Sequence, residues 1–161
     1  MFSHCRRIFG LVLMLMSSPS WAHSLTQYQH HNLMTNNIEQ LALMSDKPSI
    51  MMLFEPDCSW CFKQAKVLNQ LHAACPNQIN IIALGVNGDK QALKQQSWKM
   101  KLHFPAYMTS HDLLDVLGEI PATPMSLLSS SEGNYIGHLR GYVKLAPLTN
   151  LLTAKFNISC K

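Results

Sequence analysis

The amino-acid sequence predicts an α/β fold, a central mixed β-sheet flanked by helices in a single domain, on three observations. Two uninterrupted apolar runs, Ile50 to Phe54 and Ile79 to Val86, read as strands buried on both faces. The stretch between them has helical spacing, with Phe62, Ala65, Leu68, Leu71 and Cys75 along one side. Two further strand-like runs, Met125 to Leu128 and Tyr135 to Leu139, bracket a serine-rich turn and precede a helical stretch from Leu145 to Phe156. The order β, α, β, α, hairpin, α suits a small sheet covered on both sides.

Composition agrees with one globular domain. The 161 residues are 47% hydrophobic and 14% charged, with no internal repeat or low-complexity tract. Thirteen Lys and Arg stand against nine Asp and Glu, and two of the thirteen lie in a segment expected to be removed, so nucleic acid is not an expected partner.

Taken in order, residues 1–22 come first. Arg6 and Arg7 precede the apolar run Ile8 to Met16, and Ser20-Trp21-Ala22 offers the small residues that signal peptidase reads, which predicts a signal peptide cleaved after Ala22. The apolar core of about nine residues is well short of the ~20 that span a bilayer. No cysteine follows it to carry a lipid, so the mature protein is expected in the periplasm without a stable membrane anchor. Residues 23–46 are expected to form a helical segment, because Met34, Ile38, Leu41 and Ala42 share one helical face before Asp46-Lys47-Pro48 stops it. The domain proper is expected over residues 47–161. Within it, residues 90–101 predict a short basic helix, Phe104 to Met108 an extended piece, and Asp112 to Leu117 one or two helical turns stopped by Gly118.

Export leaves four cysteines, Cys58, Cys61, Cys75 and Cys160, in a compartment where disulfides persist. Cys58-Ser59-Trp60-Cys61 is a CxxC pair, and such a pair binds metal, cross-links a fold or exchanges disulfides. Zinc needs about four ligands, and the sequence has no second CxxC or paired histidines at the usual spacing. A bridge across two residues closes too small a loop to restrict the unfolded chain much. Exchange accounts best for the position, since Cys58 falls at a helix start after a buried strand, where free N–H groups and the helix dipole favour the thiolate. Cys61, about one turn on, can then attack a mixed disulfide at Cys58 and release the substrate. The dithiol carries both electrons, so no organic cofactor is needed.

Cys75 and Cys160 either pair, closing a loop worth roughly 4 to 5 kcal/mol on the chain-entropy model, or remain a buried thiol and a terminal one, or serve as an additional redox relay. Eight histidines and ten methionines raise a copper-handling reading. Most of them belong to ordinary parts of the fold: Met51 and Met52 lie in the first buried strand, and His30-His31 are expected to face solvent. No metal site is expected.

The strand, the CxxC at a helix start and Thr123-Pro124 before a hairpin resemble the thioredoxin superfamily over about Lys47 to Leu152. Gly85-Val86-Asn87-Gly88-Asp89, His103-Phe104-Pro105, Ile120-Pro121-Ala122-Thr123-Pro124 and the Gly133 turn look like its exported TlpA-like and DsbD-like branch, with a TrbB-type protein as one setting. The resemblance implies a thioredoxin-like fold and a cis peptide at Thr123-Pro124 facing the dithiol and pairing with substrate. It further implies cysteine-containing exported proteins as substrates and a DsbD-like membrane electron donor.

The chain also departs from the pattern. Met52 stands where thioredoxin has an acid, Gln64 and Lys66 where TlpA-like proteins commonly have glutamate and proline, and Asp57 where a tryptophan is usual. Glu55 and Asp57 are either substitute proton acceptors or solvated surface acids.

These readings lead to an exported thiol:disulfide oxidoreductase, a reductase or isomerase, with Cys58 as nucleophile and Cys61 as resolving thiol. Thr123 and Pro124 position substrate, and Trp60 shapes the rim. The competing class is a thioredoxin-like module that holds a partner or copper through a non-exchanging CxxC. Residues 23–45 are too short for a dimerisation domain, so a monomer is expected.

Overall fold

The structure is a computed structural model and describes residues 24–160. The expected signal peptide lies outside the described residues. Seven strands form one mixed sheet: β1 (Gln29–Asn32), β2 (Ile38–Gln40), β3 (Ser49–Phe54), β4 (Asn80–Gly85), β5 (Ala106–Met108), β6 (Met125–Ser129) and β7 (Tyr135–Arg140). Four helices accompany them: α1 (Ser59–Ala74), α2 (Lys90–Lys99), α3 (His111–Leu117) and α4 (Leu145–Phe156). The spatial order is β2-β1-β5-β4-β3-β6-β7.

The centre of the sheet is built from the most apolar segments. Every residue of β3 and β4 is buried, and the two run parallel with Ile50 opposite Ile81 and Phe54 opposite Gly85. β5 adds parallel to β4, while β6 pairs antiparallel with β3 and β7 antiparallel with β6. Alternation along β3 divides the core in two. Ile50, Met52 and Phe54 face a cluster with Ala65, Leu68 and Leu71 of α1, Leu93 of α2 and Leu148 and Leu152 of α4. Met51 and Leu53 face the other side, with Leu113 of α3, Tyr107 and Leu127. Both faces are thus covered, three helices against one.

Local chemistry sets the helix ends. Asp89 caps α2 by accepting from the Ala92 N–H at 2.8 Å, and Ser110 caps α3 through the Leu113 N–H at 3.4 Å. α4 ends where Asn157 turns left-handed, with φ 54°. Gly85 closes β4 because α2 comes so near: a Cβ there would stand 2.8 Å from Leu93 Cδ2.

The helix expected within residues 23–46 is instead a β-hairpin, and it belongs to the same sheet as the rest of the chain. β1 and β2 pair antiparallel with His31 opposite Ile38, and β1 pairs antiparallel with β5. Turn chemistry overrides the apolar spacing. Asn32 Oδ1 accepts from the N–H groups of Met34 and Thr35 at 2.8 and 3.1 Å, and Asn36 adopts φ 68°. Met34 and Ile38, read as core positions, are exposed. His30, expected to face solvent, is buried against Tyr107, with ring centroids 6.3 Å apart, and its Nδ1 accepts from the Ser110 N–H at 3.0 Å. Burial pushes its pKa down from 6.5 to about 4.

Candidate active site

The C-terminal end of β3 delivers the chain into Glu55-Pro56-Asp57 and then α1. Asp57 takes φ 58°, a left-handed conformation that aspartate tolerates better than bulky side chains, and this turn places Cys58 at the N-cap of α1. The Cys58 sulfur accepts from the Cys61 N–H at 3.2 Å. Cys58 and Cys61 are joined as a disulfide with their Cα atoms 5.3 Å apart. The two cysteines differ in access: Cys61, on the inner face of α1, is fully buried, and Cys58 is only partly covered. Of the two, Cys58 is the one that a partner can reach once the bond is opened. It would gain the Cys61 N–H as a donor and the positive end of a 16-residue helix whose first turn carries no acid.

Three loops meet at the dithiol, and Glu55 ties them. Its Oε1 accepts from the Thr123 hydroxyl at 2.7 Å and its Oε2 from the Asn87 side-chain amide at 3.2 Å. Glu55 is thereby a half-buried bracket joining its own loop to those after β4 and before β6, which neither of the roles expected from the sequence describes. Asp57 is exposed. The Thr123–Pro124 peptide is cis, and Pro124 carries the chain into β6.

Trp60 lies outward from the first turn of α1, 52% exposed. Lys63 Nζ stands 3.8 Å from its ring centroid, and Tyr142 packs at 6.0 Å between centroids with a 34° tilt. Trp60, Thr123, Pro124, Arg140, Gly141 and Tyr142 line a groove of about 480 Å³. The structure thus brings Trp60, Thr123 and Pro124 together around one hollow.

Sequence reasoning missed how the far wall is held. Gln64 is buried within α1, 1% exposed, and its Oε1 accepts from the Val143 N–H at 2.7 Å. That bond fastens the loop after β7 to the dithiol helix and seats Tyr142 beside Trp60. The signal for it was a polar residue on the stripe that runs through Cys61, Ala65 and Leu68. Arg140 and Tyr142 had no comparable signal, because they reach the site only through the fold. At the opposite end of α1, Cys75 and Cys160 are disulfide-bonded with Cα atoms 4.8 Å apart. Among the described residues no three His, Cys, Asp or Glu side chains converge as metal ligands.

No protein-family model matches the chain, and no curated protein matches it. Solved structures do. The chain superposes on MTB DsbF, determined in mixed oxidised and reduced forms, with TM-score 0.68 and 19% identity over 83% of this chain and 98% of that one. It is similar to a secreted Mycobacterium tuberculosis disulfide oxidoreductase homologous to E. coli DsbE, with TM-score 0.64, 18% identity, and 80% and 96% of the two chains covered. A thioredoxin-family thiol:disulfide interchange protein from Chlorobium tepidum TLS gives TM-score 0.62 and 16% identity over 79% and 91%. The expected fold is thus the observed one: the chain has the thioredoxin-like fold.

Proposed function

We propose that the protein is an exported thiol:disulfide oxidoreductase that reduces or isomerises disulfides in other exported proteins. The observation that carries this reading is the asymmetric pair at the start of α1, a partly open Cys58 sulfur over a buried Cys61. In the reductive direction the Cys58 thiolate attacks one sulfur of a substrate disulfide, the other substrate sulfur leaves as a thiolate, and a mixed disulfide forms. The Cys61 thiolate then attacks Cys58, the substrate departs with both of its sulfurs reduced, and the protein keeps the disulfide. Two electrons pass to the substrate, and a dithiol donor of the DsbD-like class returns them. Trp60, Thr123 and Pro124 hold the substrate segment beside Cys58, in the groove they line. Arg6-Arg7, the apolar run after them and Ser20-Trp21-Ala22 support export to the periplasm. No helix among the described residues is long and apolar enough to cross a membrane.

The test is the Cys61→Ser variant. With the resolving thiol gone, the exchange reading expects covalent mixed disulfides at Cys58 that dissolve on reduction, whereas a non-exchanging binding module yields none. The reduction potential against a glutathione series then sets direction: about −220 mV or below supports a reductase, and a value near −120 mV makes the protein an oxidant.

A further inference from the structure

The groove beside the dithiol has a sign. Arg140 is the one charged side chain in its lining, which includes no carboxylate. A second cation, Lys63, stands over the Trp60 ring. Neither of the acids nearest Cys58 in the chain lines the groove: Glu55 touches it only through the Thr123 hydroxyl and Asp57 is exposed, so the positive charge belongs to the Arg140 and Lys63 end of the groove.

Arg140 closes β7, the strand at one edge of the sheet, opposite Met125 of β6. Partners in an antiparallel pair project to the same side of a sheet, so Arg140 leaves β7 on the face that Met125 helps to bury, at the strand end where that face and the groove both reach it. There it also borders a second hollow of about 340 Å³, walled by Val116, Leu117, Pro121 and Leu127 and sharing Glu119. A negative charge on that far side would meet Glu119. On the groove side it meets Arg140, two aromatic rings and the Lys63 ammonium. The guanidinium's planar fork suits a carboxylate in particular.

Resting on the exchange reading above, we propose that this protein selects cysteines set in acidic peptide segments, with a carboxylate flanking the target cysteine paired to Arg140 in the Trp60–Tyr142 groove. Arg140 is then a specificity-determining residue, and the partner is a protein whose exchanging disulfide lies in an acidic stretch.

The experiment uses two peptides, each closed by an internal disulfide and identical except that glutamates flank the cysteines in one and lysines in the other. The reduced protein converts each to its dithiol and becomes oxidised itself, and the rate is followed by mass spectrometry. The glutamate peptide is expected to be reduced about threefold or more faster at low ionic strength, with the ratio shrinking as salt is added. Arg140→Glu reverses the order and Arg140→Gln narrows it, the Lys63 charge remaining. Because each result is a ratio within one protein, a partly unfolded variant does not imitate a reversal. Equal rates in the wild type, or a ratio that survives Arg140→Glu, overturns the proposal. Hydroxyethyl disulfide, which has no charge, separates the two levels of failure in the wild type. If it is reduced while the peptides rank alike, only the selectivity falls; if it is not reduced either, the exchange reading falls as well.

Discussion

Gln64 has no charge to offer the dithiol, yet it decides where the groove's far wall stands. Its Oε1 is the acceptor for the Val143 N–H across 79 residues of sequence, and it is buried. Gln64→Leu leaves that N–H without its partner, which costs about 1 to 3 kcal/mol when the group stays buried. Chemical denaturation should record the loss, and Trp60 fluorescence should shift as Tyr142 moves away. Gln64→Glu keeps an oxygen for the Val143 N–H but places a carboxylate in the core, where burial disfavours its charged form. Its stability should therefore fall as pH rises, a response that Gln64→Leu does not share. The residue scale is also where the sequence is most uneven as a guide. Cys58 and Cys61 are legible because their chemistry is contained in four consecutive letters. Arg140, Tyr142 and the Gln64 bond are not, because nothing local distinguishes an arginine ending an edge strand from any other surface cation.

Among the elements, β1 shows what a periodicity argument omits. Four apolar positions at helical spacing fit a helix over residues 25–45, but Asn32, Asn36 and Asn37 form a cluster of turn residues in the middle of it, and the structure follows the turn. The result is a buried His30, neutral in the folded chain with its pKa pushed down to about 4. The sign follows from proton counting. Between about pH 6.5 and 4 the unfolded chain binds a proton at this histidine and the folded chain does not, so stability falls as the solution is acidified through that window and is insensitive to His30 above it. His30→Gln, whose amide oxygen can still accept from the Ser110 N–H, should flatten the acid side of a stability–pH curve measured by urea midpoints. β3, α1 and β4 needed no such correction, because continuous apolar runs and an i, i+3, i+4 stripe admit fewer readings.

At the scale of the molecule, the two disulfides differ in what holds them. Cys58 is partly open to solvent, whereas Cys75 is buried and its bond to Cys160 closes a span of 85 residues. Under a mild reductant, alkylation and mass spectrometry should find Cys58 and Cys61 labelled well before Cys75 and Cys160. Removing the long link with Cys160→Ser should lower stability by roughly 4 to 5 kcal/mol on the chain-entropy model, while leaving exchange at Cys58 in the folded fraction. The placement of the bonds has a consequence for motion. One lies at the first turn of α1 and the other at its last, so the oxidised helix is clamped at both ends. Reduction by a dithiol donor releases the first clamp alone. Amide hydrogen exchange should therefore quicken at Ser59 to Phe62 and stay slow around Leu71, confining the oxidation state of the protein to a single loosened turn that a partner can read.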